Sequence, residues 1–540
     1  MKKAIFLIII VLYSLITFSQ NKSNSYNKLW EDVQQLEINN LPKSALNIVE
    51  TIFYIAKKEN NSTQLIKSLI YKSKFALTLE EDAQLSIINN LKNEITSNKF
   101  PVKNILESIL ADVYWQYFKQ NRWKFYHRSS TDEKVDTTDF RTWDLKTIFI
   151  EVQKHYNNSL SNGLESQLTN LEGFDEIINT HNDSKIYRPT LYDFLAHRAL
   201  DFFKNEEQNI IRPSYKFELD NEHLLGNNLD FTSQTITSKD SISNHLQALK
   251  IYKNLTLFHL KDTEPTALIN LTLERLNFVK TNTVLNTKEE LYLGTLQTLK
   301  REFKNYKAST EIDFEIAKLF NDQGKLYQPK TNTTNQFKQK IALDICNLAI
   351  HNFPTSIGAK NCEQLKNEIL SKYISIQTEN YVPITTHARL LVTYKNLEKV
   401  YFTGFEISKN QQNKFNRIYN DSLKTEFINN LKPTLKWDAS LKSENDFQQH
   451  ATEVLLPKLN QGNYLIVATV TENLNYDNKI FAHTFIQSTN LVLIENRLTN
   501  YYSYQVVNRN SGKPIVNANV NLKNYNTSNA MPLLEKYSGF

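Results

Sequence analysis

The chain has 540 residues, of which 40% are hydrophobic and 22% are charged, and its formal net charge is +6. This composition excludes a disordered or fibrous protein, and the charges interleave along the predicted helices without a basic patch for nucleic acid. The length is sufficient for about three or four domains. Glycine is rare, with ten residues, which favours long helices because an interior glycine costs about 1 kcal/mol relative to alanine.

The N-terminus has the pattern of an export signal. Two lysines precede an apolar or hydroxyl run from Ala4 to Phe18, and Ser19 supplies a small residue at the cleavage position. We expect a cleaved secretory signal peptide over residues 1–19. An uncleaved anchor is the alternative, but the run is shorter than the roughly 20 residues that cross a bilayer. The chain is therefore predicted to be exported (periplasmic, on the cell envelope or secreted), with no spanning membrane segment after the signal peptide.

Apolar residues at helical spacing predict helices over most of residues 20–371. Leu41–Lys58 carries one apolar stripe, whereas Asn205–Ser243 has no strong period and is predicted to be a long connection. No fixed repeat length holds, so the prediction is an irregular α-helical solenoid in which neighbouring helices bury each other's stripes. Two regions are predicted, a helical domain over 20–205 and a second, tetratricopeptide-like helical region over 206–371. Further helices are predicted at His245–Leu260, Ala267–Val279 and Lys288–Phe303.

Near Lys372 the apolar period changes from 3.6 to 2. Short runs of β-forming residues with turn signals then predict an antiparallel β-sandwich over 372–488, interrupted by a helical or loop insertion at Ser408–Lys436. After it come a strand, a turn on Gly512 and Pro514, and a second strand that ends at Leu522. A lone hairpin is marginal in water, so residues 489–540 are predicted to open a second β domain that is incomplete.

Four runs in this part of the chain carry a family resemblance. They are Glu453–Leu459, Gly462–Ala468, Ser488–Leu491 and Val506–Val520. In this order they resemble the consecutive first and second macroglobulin domains of bacterial alpha-2-macroglobulin-family proteins. Upstream, Asp112–Tyr126 together with Phe140–Asp144 resembles the helical region that precedes the first macroglobulin domain in members of the Bacteroidetes type. The fold class that follows is a multidomain α + β chain, with a helical solenoid ahead of macroglobulin-type antiparallel β-sandwich domains.

The resemblance also implies a function. In that family a protease cuts a bait region, the molecule collapses around the protease, and in many members an internal thioester captures it. We therefore expect an exported endopeptidase inhibitor whose partners are proteases, with this segment as a scaffold that has no enzymatic activity and no cofactor. The trapping chemistry would then follow Phe540. The alternative is an exported helical and β-sandwich scaffold that binds a cell-envelope partner without inhibition.

Cys346 and Cys362 are the two cysteines of the chain, and each is eight residues from Pro354. If Gln336–Phe353 and Ser356–Leu370 form an antiparallel helical hairpin, both thiols lie about 12 Å from its turn. Export would then permit a disulfide, which would close a loop of about 15 residues and contribute about 3 kcal/mol. Two buried free thiols are the alternative.

Other candidate sites have simpler interpretations. Asn361-Cys362-Glu363-Gln364 resembles a thioester motif, but it lacks the glycine and lies in a predicted helix, where residues two apart do not face each other. We therefore expect no thioester here. An aromatic cluster could form a carbohydrate or peptide platform, but buried core between helices is the more common role of such clusters. Its members are Tyr114, Trp115, Tyr117, Phe118, Trp123, Phe125 and Tyr126.

The sequence shows no motif of catalysis or of metal binding. The eleven histidines are scattered, and neither H-E-x-x-H nor a zinc-type His/Cys cluster occurs. Asp220, Glu222 and His223 are close together, but they lack the second histidine that a metal site would usually need. G-x-S-x-G and the P-loop are both absent from the sequence. No catalytic, cofactor-binding or metal-binding residue is therefore predicted.

Overall fold

A computed structural model gives the fold. It describes residues 26–128, 136–179, 181, 183–205, 207, 215–472, 480–497, 499 and 502–520. The chain divides into two compact units, Met1–Ile312 and Asp313–Phe540. The predicted signal peptide lies outside the described residues. Among the residues that are described, no helix combines the length and the apolar character needed to cross a membrane.

The first unit is helical. Its helices, in chain order, are α1 (26–38), α2 (Pro42–Glu59), α3 (Ser62–Leu79), α4 (Ala83–Ser97), α5 (Val102–Gln120), α6 (Arg122–Tyr126), α7 (Leu145–Ser159), α8 (Gly163–Gln167), α9 (Ser184–Tyr187), α10 (Leu191–Phe203), α11 (Asn228–Ser233), α12 (Asn244–His259), α13 (Thr266–Asn282) and α14 (Lys288–Glu302), and α15 (Ser309–Gly324) begins at its end.

Several of these helices begin where the sequence supplies an N-terminal cap. Pro42 opens α2, a position where its missing N–H costs nothing. The side chains of Asn61 and Asp144 accept hydrogen bonds from the first turns of α3 and α7. Thr190 opens α10 with a capping box, in which Thr190 and Asp193 bond each other's backbone N–H groups. The local chemistry thus fixes helix starts that periodicity alone leaves uncertain.

Helix α5 lies at the centre of this unit. It contacts α4, α7 and α10, and its buried residues surround most of the helix. Elsewhere, helices that follow each other along the chain pack as neighbours, for example α2 with α3 and α12 with α13. Each helix thus covers the apolar stripe of the next, as expected for a solenoid. The predicted N-terminal helical region is confirmed.

The segment Asn205–Ser243 contains more structure than its sequence predicts. It includes the 3₁₀-helix Glu222–Leu225 and α11. Both begin at an asparagine cap, since Asn221 accepts from the His223 N–H and Asn227 from the Asp230 N–H. These helices have only four and six residues, which is too short for an apolar period to show in the sequence.

The second unit contains the remaining helices and the described strands. The helices are α16 (Lys338–Asn352), α17 (Ile357–Leu370), α18 (Lys409–Asn416) and α19 (Asp421–Asn429). The strands are β1 (Tyr373–Gln377), β2 (Tyr381–Val382), β3 (Ala388–Lys395), β4 (Lys399–Glu406), β5 (Leu435–Ser440), β6 (His450–Leu456), β7 (Gly462–Thr469), β8 (Phe481–Ser488), β9 (Leu491–Arg497) and β10 (Tyr502–Asn508).

Two sheets form a sandwich in this unit. One has the strand order β1-β3-β6, and the other has the order β2-β8-β7-β4-β5. Neighbouring strands are antiparallel, except that the short β2 runs parallel to β8. Both sheets contribute to one apolar core, which includes Leu390, Val392, Phe402, Ile466 and Leu456. The predicted fold class, a helical region followed by a β-sandwich, is confirmed.

Strand β7 lies inside the five-stranded sheet and is buried on both faces. Tyr464, Ile466 and Ala468 join the core of the sandwich. Leu465 and Val467 join a second cluster with residues of α18 and α19. The insertion predicted at Ser408–Lys436 therefore forms two helices that cover the outer face of this sheet, and this explains why β7 reads as an unbroken apolar run.

The C-terminal hairpin differs from its prediction in one strand. Strands β9 and β10 pair antiparallel, and Gly512, with φ of +67°, makes the turn that follows by donating its N–H to Asn508 O at 2.8 Å. The expected strand ending at Leu522 is wrong over residues 515–520, where no strand forms; a single bridge, between Val507 and Pro514, precedes this stretch. Asn517 has a φ of +58°, and this left-handed conformation interrupts an extended backbone. Leu522 lies outside the described residues.

Candidate functional site

The two cysteines meet in a helical hairpin, as the spacing around Pro354 predicts. Cys346 lies in α16 and Cys362 in α17, and both side chains are fully buried in the same apolar cluster. Both are free thiols in the structure. A hydrogen bond from Cys362 lowers the pKa of the Cys346 thiol, against the opposing effect of burial. Both thiols therefore lie in the apolar contact between the two helices. The disulfide itself stays a prediction.

Small side chains flank each cysteine along its helix, within a cluster that also contains Leu343, Leu365 and Ile369. Ala342 and Ala349 are buried on α16, one turn either side of Cys346, and Gly358 and Ala359 are buried at the start of α17. Two helices usually pack with their axes 8–10 Å apart, a separation set by the side chains at the contact. Alanine and glycine at this contact favour a separation near the short end of that range.

The thioester-like tetrapeptide does not bring its reactive groups together. Cys362 faces the core, whereas Glu363 and Gln364 are exposed on α17. A thioester requires the sulfur to reach the glutamine carbonyl carbon, and these two side chains point to opposite sides of one helix. The expectation that no thioester forms at this position agrees with this geometry.

The loop 444–448 holds the α16–α17 hairpin against the sandwich. Gln448 is buried and donates its side-chain amide to Gly324 O and Gln336 O, both at 3.1 Å. Gln336 in turn donates to Glu444 at 2.7 Å and to Asp446 at 3.1 Å. Phe447 packs against the apolar cluster that contains the cysteines. Nothing in the sequence pattern marks this loop, because its partners lie more than a hundred positions away.

A second set of hydrogen bonds, in addition to those of Gln448, fixes the end of α17 to the turn between β3 and β4. We call the contacts of Gln448 and of Asn396 the two clamps. Asn396 adopts a left-handed φ of +56° and donates its side-chain amide to Ile369 O at 2.8 Å and to Ser371 O at 2.9 Å. These carbonyls come at the C-terminus of a helix, where backbone acceptors lack intrahelical partners. The helical hairpin and the sandwich are therefore connected by hydrogen bonds as well as by the chain.

A groove of about 500 Å³ lies beside the same loop. Its lining includes lysines and acids in similar number, and many of them pair with each other or with near neighbours. Lys442 pairs with Glu444 at 2.6 Å, and His450 pairs with Asp446 at 2.9 Å. Because these charges are mutually compensated, the groove shows no preference for an anion or a cation.

The aromatic cluster of the first unit is mainly core. The rings of α5 are buried, and they pack edge-to-face against Phe140, Phe149 and Phe202. Only Trp123 and Tyr126, in α6, are exposed, at 64% and 43%. Lys124 lies over the Trp123 ring at 5.4 Å. The interpretation as core is therefore correct for five of the seven predicted residues, and the outward pair forms no enclosed platform.

A buried ion-pair network, which the sequence does not predict, joins α10 to α12. The His259 ring donates from Nε2 to Asp193 at 2.7 Å and from Nδ1 to Asp262 at 2.7 Å. Burial opposes the charged ring, but these two carboxylates raise the pKa of His259 above its ordinary value. Asp193 also serves the capping box of α10. The capping pattern Thr190-x-x-Asp193 is visible in the sequence, whereas the pairing with a histidine 66 positions away is not.

A second histidine occupies a similar position between α5 and α7. His155 Nδ1 lies 2.5 Å from Glu107 Oε2, and its Nε2 lies 3.3 Å from Glu151. Burial again opposes the charge, and the two glutamates raise the pKa of His155. Neither histidine lies beside a serine, cysteine or threonine positioned as a nucleophile by any hydrogen bond that the described residues show. We interpret both networks as links between helices.

The acidic segment near His223 does not form a metal site. His223 pairs with Asp230 at 3.0 Å, and Asp220 and Glu222 are exposed. Within the described part of the chain, no group of three or more His, Cys, Asp or Glu side chains has the geometry to hold a metal ion. Nearby, Arg275 is fully buried and donates to Leu224 O and Gly226 O. Burial lowers its pKa to about 9, and we interpret it as a structural cation that ties α13 to this segment.

Comparison with known proteins finds similarity among solved structures only. No family model matches the chain, and no curated protein does. One structural neighbour is native alpha-2-macroglobulin from Escherichia coli spanning domains MG0-NIE-MG1, at 15% identity and a TM-score of 0.23, over 31% of this chain and 54% of that chain. The match thus spans about half of that structure.

Two further neighbours have similarly low scores. The NIE-MG1 fragment of the same Escherichia coli protein matches at 14% identity and a TM-score of 0.23, over 31% of this chain and 83% of the fragment. The S-layer protein rSbsC(31-844) matches at 12% identity and a TM-score of 0.14, over 78% of this chain and 54% of that chain. TM-scores this low assign neither a family nor an activity.

Proposed function

We propose that this chain is the N-terminal part of an exported alpha-2-macroglobulin-like protein that inhibits endopeptidases by entrapment. In this proposal the segment acts as a scaffold, proteases are the partners, and the chemistry of the trap follows Phe540. The chain itself would perform no catalysis and would need no cofactor. Export rests on the N-terminal pattern of residues 1–19.

The observation that carries the proposal is the placement of the family-like residues in the second unit. Gly462–Ala468 forms the doubly buried strand β7, and Glu453–Leu456 forms the end of the edge strand β6. Ser488 ends β8, and Leu491 begins β9 after only two residues. Gly512 adopts the left-handed φ that its turn requires. The five-stranded sheet thus ends at β8 and a separate hairpin begins at β9; we propose that the chain passes here from the first macroglobulin-like domain to the second.

The described residues support a scaffold more than a trap. In the thioester-like tetrapeptide, the side chains of Cys362 and Gln364 point to opposite sides of α17. The buried histidines His155 and His259 pair with carboxylates and link neighbouring helices. The groove beside loop 444–448 has compensated charges. The segment contains a helical hairpin that is connected to the sandwich by the hydrogen bonds of Gln448 and Asn396. A rigid connection of this kind is what a scaffold between domains requires.

Residual protease activity on two substrates tests the proposal. The full-length natural protein is incubated with a smaller molar amount of an endopeptidase, and cleavage of a large protein substrate and of a small chromogenic peptide is then measured. Entrapment predicts a large loss of activity on the protein and little loss on the peptide, because only the small substrate reaches an enclosed active site. Unchanged cleavage of both substrates, over a panel of endopeptidases, would contradict the proposal and favour a non-inhibitory envelope scaffold.

A further inference from the structure

We propose that Cys346 and Cys362 form an intramolecular disulfide that staples α16 to α17. The inference goes beyond the proposed function and does not depend on protease inhibition. The two residues are the only cysteines in the chain, so an intramolecular bond has a single possible connectivity. Both lie in one apolar cluster, on helices that follow each other and pack as neighbours.

Both cysteines lie in the contact between the two helices. Each is 0% exposed, and both belong to one apolar cluster on helices that pack as neighbours. A covalent bond between them would therefore join α16 directly to α17.

Packed helices also satisfy the distance limit of a disulfide. The bond needs Cα atoms no more than about 7 Å apart. The axes of packed helices are usually about 8–10 Å apart, and each Cα lies about 2.3 Å from its axis, so Cα atoms that face each other across the contact meet this limit. Ala342 and Ala349 flank Cys346, and Gly358 and Ala359 precede Cys362. These small residues leave room for the two sulfur atoms to meet.

Formation of the disulfide is a two-electron oxidation, so it requires an electron acceptor. Both thiols lose their hydrogens, the S–S bond forms, and two electrons and two protons pass to an oxidised disulfide, either glutathione disulfide or a dithiol oxidase of an oxidising compartment. Because the folded pair is fully buried, the exchange has to occur before α17 closes onto α16. The finished bond should then resist reductant for as long as the hairpin stays folded.

Refolding in a defined redox buffer tests the inference independently of export and of inhibition. The full chain is reduced, unfolded and refolded in mixed oxidised and reduced glutathione, then unfolded again and alkylated without reductant. We expect a monomer two hydrogen masses lighter than the reduced chain, with both cysteines protected, and tryptic peptides of α16 and α17 that separate only after reduction. Alkylation of both cysteines, or a disulfide between two chains, would overturn the inference.

Stability measurements on variants give a second, independent test. Cys346→Ala, Cys362→Ala and the double variant are compared with the oxidised chain. Because either single change removes the whole bond, each should lower the melting temperature of this unit by roughly 5–10 °C, and the double variant should lose little more. If the losses in the two single variants are small and add in the double variant, the residues act as separate thiols and the disulfide is excluded.

Discussion

At the residue scale, the most consequential groups are buried charges whose partners come from distant parts of the chain. His259 is held between Asp193 on α10 and Asp262, and Asp193 simultaneously caps α10. Replacing any one of these residues would leave a buried charge or a buried backbone N–H without its partner. Such groups cost about 1–3 kcal/mol when they lose their hydrogen bonds.

The His259 network makes a pH-dependent contribution to stability. Because the folded protein raises the pKa of His259, the folded state binds the proton more tightly than the unfolded state does. The stabilisation is fully present below about pH 6.5, the ordinary histidine pKa, and it is lost as the pH rises through the higher pKa of the folded state. Asp262→Asn should therefore lower the free energy of unfolding by about 1–2 kcal/mol at acidic pH and by less at alkaline pH.

Urea unfolding at a series of pH values measures this difference. Asp201→Asn, an exposed position on α10, is the matched control and should have little effect at any pH. A loss in Asp262→Asn that is constant with pH would show that the histidine carries no charge in the network. The other buried histidines contribute equally to both proteins, so their titration cancels in the comparison.

The positions of the two cysteines could be predicted from the sequence, whereas the contacts of Gln448, Asn396 and His259 could not. The cysteine pair was predictable because Pro354 marks the turn of the hairpin and the helix rise sets the position of each thiol. The Gln448, Asn396 and His259 contacts were not predictable, because each joins segments that are 25 or more positions apart without a local pattern.

At the element scale, the long helices and most of the strands follow from periodicity, and the edge strand β5 does not. Strand β7 is a continuous apolar run because both of its faces are covered. Strand β5 is not among the predicted strands, although Leu435–Ser440 alternates between apolar and polar residues, because the insertion predicted over Ser408–Lys436 overlaps its first residues. The alternation is that of an edge strand with one face toward the core.

Gly404 marks a close contact between β4 and the edge strand β5. A Cβ at this position would lie 2.7 Å from the Leu435 side chain and 3.3 Å from Ile466. Gly404→Ala should therefore destabilise the sandwich by about 1–3 kcal/mol, because the added methyl overpacks the sheet. The measurement is the midpoint of thermal or denaturant unfolding.

Gly294→Ala is the control for Gly404→Ala, and its expected effect on stability has the opposite sign. Gly294 lies inside α14 and is exposed, and a methyl group added there would have no neighbouring atom within 4 Å. Alanine should stabilise that helix by up to about 1 kcal/mol. If Gly404→Ala had the same sign as Gly294→Ala, close packing between β4 and β5 would not be the reason for this glycine.

The clamp at Gln448 should matter more than its place in a loop suggests. Gln448→Ala removes the donor to two backbone carbonyl oxygens, those of Gly324 and Gln336, and should cost about 1–3 kcal/mol. Gln364→Ala, on the exposed face of α17, should change stability by less than about 0.5 kcal/mol. Equal effects of the two changes on the unfolding midpoint would show that the loop does not hold the hairpin.

At the scale of the whole molecule, the chain consists of two compact units, Met1–Ile312 and Asp313–Phe540. The composition and the change of period near Lys372 predicted helices followed by a sandwich, and this order is confirmed. The domain limits at 205, 371 and 488 remain predictions. Sequence periodicity reports how each element is buried, and it does not report which elements form one folding unit.

Entrapment of a protease is also a property of the whole molecule, because the complete protein has to enclose the enzyme. Bait cleavage triggers capture in the family that the chain resembles, so retention of a protease should require that the protease is active. A scaffold that merely binds a protease would retain the active enzyme and a covalently blocked enzyme equally. The two mechanisms therefore differ in a single comparison.

That comparison is the most direct test of the proposed function. The full-length natural protein is mixed with an active endopeptidase and, separately, with the same enzyme covalently blocked at its active site, and each mixture is resolved by size-exclusion chromatography. Entrapment predicts that the active protease co-elutes with the large protein and that the blocked protease elutes alone. Retention of both enzymes, or of neither over a panel of endopeptidases, would contradict the proposal.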